Sequence, residues 1–197
     1  WNNVFYALRH DGTLQPGIFP VKTDYWNYNL AAADMDGNGL FEIFCHGIRY
    51  KHTGYRDYTW TRQYSNASKL TFADLDGDGL PEFIYGTGND GTYYGHVRAV
   101  DQHGELLPGW PAYTIKGKWD AIDGNLVAGD IDGDGDVEIL SGSYKTNMLF
   151  AWHHDGTPVE GFPFISGRLD NYRIAISDLD GDVDIELISA NTDRMIY

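Results

Sequence analysis

Apolar runs along this chain are short, and glycine and aspartate bound most of them. Leu30 to Ala33, Leu70 to Ala73, Leu126 to Gly129 and Ile174 to Ser177 each end on a small residue that stands next to an aspartate. Each is answered downstream by a second brief run: Ile43-Phe44-Cys45, Phe83-Ile84-Tyr85, Ile139-Leu140-Ser141 and Leu187-Ile188-Ser189. Runs of this length, rich in branched and aromatic side chains and closed by turn residues, predict strands.

A second pattern is a hairpin with the spacing Ala-x4-Gly-x4-Gly and a proline soon after. It occurs as Ala7, Gly12, Gly17, Pro20; as Ala99, Gly104, Gly109, Pro111; and as Ala151, Gly156, Gly161, Pro163. The turns His10-Asp11-Gly12, Gln102-His103-Gly104 and His154-Asp155-Gly156 place glycine where a hairpin needs positive φ. A reduced copy, Tyr50-Lys-His-Thr-Gly54, keeps the turn but lacks the later glycine and proline.

The connection between paired runs is the same nine-residue acidic segment four times over. It reads Asp34-Met-Asp36-Gly-Asn38-Gly39-Leu40-Phe-Glu42, then Asp74-Leu-Asp76-Gly-Asp78-Gly79-Leu80-Pro-Glu82. The third copy is Asp130-Ile-Asp132-Gly-Asp134-Gly135-Asp136-Val-Glu138, and the fourth is Asp178-Leu-Asp180-Gly-Asp182-Val183-Asp184-Ile-Glu186. Hairpin and acidic segment alternate, so each unit holds about four strands, the content of one propeller blade.

Successive acidic segments start 40, 56 and 48 residues apart, which defines one repeat domain over 1–197 with units near 1–47, 48–88, 89–143 and 144–197. The fold expected is all-β: a propeller-type repeat with about four blades of four antiparallel strands, or part of a larger propeller. Asn191 to Tyr197 matches Tyr144 to Phe150, and Trp1 to Ala7 resumes at nearly the same point, so the last blade is expected to be split between the chain ends. An unfinished sheet edge is adhesive.

Aspartate or asparagine at positions 1, 3 and 5 of the acidic segment can bring three oxygens to one centre, and glycine at position 6 permits the sharp turn around it. A position-7 carbonyl and a carboxylate at position 9 would complete an all-oxygen shell, which suits Ca²⁺ better than the tighter octahedron of Mg²⁺. A lone Asp-Gly cluster is ordinarily just a turn. Four in register, each with a carboxylate at position 9, would place mutually repelling charges in one loop unless a cation neutralised them. An EF-hand needs glutamate at position 12, where this chain has Cys45, Tyr85, Ser141 and Ser189, so that motif is excluded. Val183 stands where the turn glycine belongs, so weaker binding is expected in the fourth loop.

Composition sharpens the picture. Glycine (24), tyrosine (14) and tryptophan (6) favour strands and tight turns. The net charge of −15 excludes nucleic acid and anionic membrane surfaces as partners. Seventeen of the 29 acidic residues lie in the four loops, so four divalent cations would reduce the charge to about −7. Cys45 is the one cysteine, which leaves no intrachain disulfide and no zinc spacing. No apolar run reaches the roughly 20 residues of a membrane span. With no initiator methionine or signal peptide, the chain reads as a processed or excised segment of something longer.

In these tandem loops the chain resembles the FG-GAP repeats (integrin α N-terminal-like, VCBS-type). The resemblance implies a β-propeller of secreted or cell-surface proteins with calcium held in loops of individual blades. It implies ligands at Asp34, Asp36, Asn38, Glu42, Asp74, Asp76, Asp78, Glu82, Asp130, Asp132, Asp134, Glu138, Asp178, Asp180, Asp182 and Glu186, with carbonyls from Leu40, Leu80, Asp136 and Asp184. Glutamate at position 9 departs from the family's more frequent aspartate. The function expected is an extracellular, calcium-stabilised structural or adhesion module, self-assembling through blade completion between subunits and meeting protein or glycan ligands.

The alternative function is a carbohydrate-binding lectin, suggested by Asp24-Tyr25-Trp26-Asn27-Tyr28, Trp119-Asp120 and Asp170-Asn171-Tyr172, where rings stand beside amides and carboxylates. A polysaccharide lyase or other propeller enzyme is third. His10, His103 and His154 sit at hairpin turns, and no Ser/His/Asp or Cys/His constellation is legible, so no catalytic residue is assigned. Asn66-Ala-Ser68 is a glycosylation sequon.

Overall fold

The runs on either side of each acidic loop pair as antiparallel strands, and the register is the same in all four pairs. Ala33 faces Glu42, Ala73 faces Glu82, Gly129 faces Glu138 and Ser177 faces Glu186. Directly opposed residues share a sheet face. A small residue there leaves the glutamate room to fold back over its own loop.

The computed structural model describes residues 3–23, 29–60, 69–87, 95–114, 121–143, 146–165, 174–182 and 184–189. A hairpin of β1 (Val4–Phe5) and β2 (Val21–Lys22) comes first. A three-stranded sheet follows, in the order β3 (Leu30–Ala33), β4 (Glu42–Cys45), β5 (Ile48–Tyr50). The first four-stranded sheet is β6 (Lys69–Ala73), β7 (Glu82–Thr87), β8 (His96–Val100), β9 (Ala112–Tyr113). The second is β10 (Ile122–Gly129), β11 (Glu138–Ser143), β12 (Met148–Trp152), β13 (Phe164–Ile165). The chain closes on the pair β14 (Ile174–Ser177) and β15 (Glu186–Ser189). Every pairing is antiparallel between neighbours in sequence, and no helix occurs among the described residues. This is the all-β, propeller-type repeat fold that the sequence pattern led to.

Turn chemistry accounts for the connections. His46 and Gly47 join β4 to β5 with φ of 52° and 72°, the two consecutive left-handed residues of a type I′ hairpin. After β1, β5, β8 and β12 the chain makes the same tight turn, closed by Gly12 N–H to the Arg9 carbonyl (2.9 Å), Gly54 to Lys51 (2.8 Å), Gly104 to Asp101 (2.9 Å) and Gly156 to His153 (2.8 Å). The copy at Gly54 therefore folds as its better-preserved relatives do.

The core lies between sheets. Met35, Phe44 and Trp60 of the three-stranded sheet pack with Phe83, Tyr85 and Val100 of the next. Leu75, Ile84 and Trp110 in turn pack with Ile122, Ile139 and Trp152. The rings of Phe44 and Phe83 stack at 4.8 Å. The first strands of successive sheets, β3, β6, β10 and β14, are neighbours. Between β10 and β14 the Asn125 amide donates to the Ile174 carbonyl (2.7 Å) and accepts from the Ile174 N–H (2.8 Å).

A second contact recurs at the outer hairpins. Ile18 N–H donates to the Thr53 carbonyl (3.0 Å), and Trp110 Nε1–H donates to the His154 carbonyl (3.1 Å). Each hairpin tail thus rests on the turn of the sheet that follows. In the three-stranded sheet the same task falls to Arg49, which donates to the Gln102 carbonyl (3.0 Å), pairs with Asp57 (2.8 Å) and stacks over Trp60.

Several sequence expectations fall outside the described residues: Val183 in the fourth loop, the sequon at Asn66, the aromatic clusters 24–28, 119–120 and 170–172, and the matching chain-end segments 1–2 and 191–197.

Candidate metal sites in the acidic loops

Each acidic loop is a closed hydrogen-bonded unit before any ion is considered. The position-1 aspartate accepts the position-6 N–H: Gly39 to Asp34 at 2.8 Å, Gly79 to Asp74 at 3.0 Å, Gly135 to Asp130 at 3.0 Å. The position-3 Oδ1 accepts from the position-5 N–H at 3.1 to 3.3 Å in all four loops. The position-5 Oδ1 accepts from Leu40, Leu80, Asp136 and Asp184 N–H at 2.8 to 3.1 Å. These bonds turn the acidic side chains toward the loop's own centre. They also require backbone that other residues resist: glycine at position 4 has φ of 70° to 83° in every loop, and glycine at position 6 has φ of 83° to 94° in the first three.

The result is a group of carboxylate oxygens within 4.8 Å of one another in each loop. The groups are Asp34, Asp36 and Glu42; Asp74, Asp76 and Asp78; Asp130, Asp132 and Asp134; and Asp178, Asp180 and Glu186. Such groups could hold a metal ion, and an all-oxygen donor set fits a hard cation. Position 5 of the first loop, Asn38, brings an amide oxygen in place of a carboxylate.

The FG-GAP-like repeat family matches residues 74–141 and again 130–189, together more than half of the chain. The chain belongs to the FG-GAP-like repeat family. None of the curated proteins compared matches it. Among solved structures, the V. cholerae biofilm matrix protein Bap1 is similar over 90% of this chain and 36% of that one, at 20% identity and a TM-score of 0.40. The chain therefore spans little more than a third of that protein's length.

Within this FG-GAP-like frame, the position-9 glutamate has a role its sequence position did not reveal. One carboxylate oxygen accepts the N–H of position 2 in every loop: Met35 to Glu42 at 3.1 Å, Leu75 to Glu82 at 2.7 Å, Ile131 to Glu138 at 2.9 Å and Leu179 to Glu186 at 2.6 Å. Glu42, Glu82 and Glu138 are buried, and burial is the main reason their carboxyls are held above the usual carboxylate range. Glu82 is pushed up to about 7, with the charges of Asp76, Asp78 and Asp74 adding to burial and the Leu75 N–H opposing both. A divalent cation would relieve that cost, since it favours the ionised form of every carboxylate around it. Glu42 and Glu186 join their loops' carboxylate groups directly, whereas the group in the second loop consists of the three aspartates.

The third FG-GAP-like loop holds one more feature that sequence reasoning missed. The Nδ1 of His153 lies 3.3 Å from Glu138 Oε1 and 3.9 Å from Asp132 Oδ2. His154, next along the same turn, places Nδ1 3.4 Å from Asp136 Oδ2. The signal was the residue that opens each hairpin turn, which is Arg9, Lys51, Asp101 and His153 in the four turns. By its sequence position His154 is only a turn residue.

Proposed function

We propose that this chain is an extracellular structural and adhesion module, one repeat domain over 1–197, whose acidic loops are held in shape by calcium. The observation that carries this reading is the repetition of a multi-carboxylate, oxygen-lined loop at the same strand connection of four successive sheets. An ion there stabilises the folded state, because the unfolded chain offers no comparable site. The loops sit at strand connections, which favours a structural ion over a catalytic one. The extracellular setting follows from the kind of proteins that the repeat resemblance implies.

The test is calorimetric. Calcium titrated into chelator-treated protein is expected to bind at several sites per chain and to raise the melting temperature, each saturated site adding about 2.7 kcal/mol at a hundredfold excess over its Kd. Identical melting in calcium and in chelator would overturn the reading.

We further propose that subunits complete one another's blades. Leu8 is exposed in the first hairpin, whereas its counterparts Val100 and Trp152 are buried under neighbouring strands. Leu179 is exposed at the last pair, whereas Met35 and Leu75 are buried. Among the described residues, β1–β2 is laid out as the outer half of a blade and β14–β15 as the inner half, so one can pair with the other. Light scattering is expected to show concentration-dependent association in calcium, and a monomer at every concentration would remove this part of the proposal.

A further inference from the structure

We propose that the third acidic loop carries, beside its oxygen-lined group, a mixed nitrogen and oxygen site for a first-row transition-metal ion, built from His153 Nδ1, Glu138 Oε1 and Asp132 Oδ2. This goes beyond the calcium reading, because it names a second class of ion at a group that shares Asp132 with the oxygen-lined one, and the His153 variants separate the two readings. The three donor atoms lie within 4.8 Å of one another, with the imidazole nitrogen 3.3 and 3.9 Å from its two oxygens. Metal bonds of about 2.0 to 2.2 Å to nitrogen and oxygen place neighbouring donors about 3 to 3.6 Å apart. The two imidazole–oxygen edges, at 3.3 and 3.9 Å, bracket that spacing, so a contraction of the group brings its donors to coordination distance.

The donors are held in place from behind. Glu138 is 0% exposed, and its other oxygen accepts the Ile131 N–H at 2.9 Å, the kind of outer bond that orients a metal-bound carboxylate. Asp132 divides its two oxygens: Oδ1 accepts the Asp134 N–H inside the loop at 3.3 Å, while Oδ2 faces His153. One carboxylate thus belongs both to the oxygen-lined group with Asp130 and Asp134 and to the mixed group.

The donor chemistry decides the ion class. Calcium takes oxygen ligands, whereas a neutral imidazole with carboxylates suits zinc, copper, iron or nickel. The position is specific to this sheet. Arg9 and Lys51 occupy it elsewhere as cations that cannot ligate, and Asp101 spends its Oδ1 on the His103 and Glu105 N–H groups at 2.9 and 2.8 Å. A second, separate observation points the same way. The Nδ1 of His154 is itself buried without a hydrogen bond and is turned toward Asp136 of the same loop, so two imidazole nitrogens converge on this loop.

The experiment is zinc titration of the full chain in saturating calcium, read by isothermal calorimetry, with the visible spectrum of Co²⁺ as a second probe. One zinc ion per chain is expected. His153→Ala should weaken its binding by more than about tenfold and shift the Co²⁺ spectrum, while the calcium stoichiometry and the calcium-dependent melting shift stay as in the unmodified protein. His153→Gln, which keeps a polar side chain at the turn, should behave as His153→Ala does. No zinc uptake by the calcium-saturated protein, or uptake by both His153 variants equal to that of the unmodified protein, would overturn the proposal. Zinc uptake lost with His153 in a protein that binds no calcium would uphold this inference and reject the calcium reading alone.

Discussion

The second and fourth acidic loops begin with the same five residues, Asp-Leu-Asp-Gly-Asp, yet Leu75 is 4% exposed and Leu179 is 63% exposed. Their local geometry agrees: each leucine N–H donates to the position-9 glutamate, at 2.7 and 2.6 Å, and each position-1 aspartate accepts the position-4 N–H, at 2.8 and 2.6 Å. The difference lies in what covers them. Leu75 packs beneath a four-stranded sheet, against Ile84 and Val97, and joins the cluster shared with the following sheet. Leu179 stands on what is, among the described residues, a two-stranded pair. The loop's shape is a local property of its sequence, and the burial that stabilises it comes from the third strand and the neighbouring sheet.

Truncation of the two leucines gives the largest contrast. Leu75→Ala is expected to cost about 2–5 kcal/mol by opening a cavity, and Leu179→Ala is expected to stay within about 0.5 kcal/mol, as exposed substitutions do. Urea unfolding of both variants in calcium measures this, and equal losses would break the comparison. If subunits complete blades, Leu179→Ala should act instead on association, which light scattering reads separately.

The outer hairpins provide a second, smaller contrast of the same kind. A Cβ on Gly109 (φ +85°) would collide with the Asp155 carbonyl oxygen on the next sheet, whereas a Cβ on the equivalent Gly161 (φ +86°) meets nothing within 4 Å. Both alanine variants carry roughly 1–2 kcal/mol of left-handed strain. Gly109→Ala is expected to lose about 1–3 kcal/mol more, because the backbone of the neighbouring turn must move. Thermal melts of the pair sharpen the comparison: similar melting temperatures would mean that hairpin tails do not lock adjacent sheets.

The strands, the hairpin turns and the four loops were legible because each is encoded over a few residues. The small residue before position 1, the glycine at the turn and the carboxylate spacing act within a single strand connection, so the common register of Ala33, Ala73, Gly129 and Ser177 could be read from their positions. Two features were not legible, for a shared reason. The glutamate at position 9 was read as a ligand, but its bond to the position-2 N–H depends on how the carboxylate folds back across the loop. His153 is fifteen residues from Glu138 in sequence and reaches it only because β11 and β12 pair. Position-4 glycine, present in every loop, was the local signal left unread, since its left-handed φ in all four copies brings the side chains of positions 1 and 3 toward one centre.

The smallest expected effect concerns protons. In chelator-treated protein Glu82 has its carboxyl pushed up to about 7, from an ordinary value of 4.5, by burial first, with the charges of Asp76, Asp78 and Asp74 adding to it. The folded state then binds this proton more tightly than the unfolded chain does. Its contribution to stability is fully present below about pH 4.5 and is lost as pH rises through about 7. Calcium should reverse the sign, because the ion binds only the ionised loop and competes with the proton. Melting temperatures in chelator are therefore expected to fall between pH 5 and pH 7.5 by a margin that Glu82→Gln removes, since the amide oxygen can still accept the Leu75 N–H but carries no titrating charge. Asp57 does not contribute in this window: burial acts to raise its pKa, but the hydrogen bonds from Thr59 and Arg49 outweigh it and hold the carboxyl below its ordinary value. The difference between the unmodified protein and Glu82→Gln isolates one buried carboxyl. An unchanged pH dependence in that variant would mean that the closed loop is kept ionised by its own N–H groups, without help from a cation.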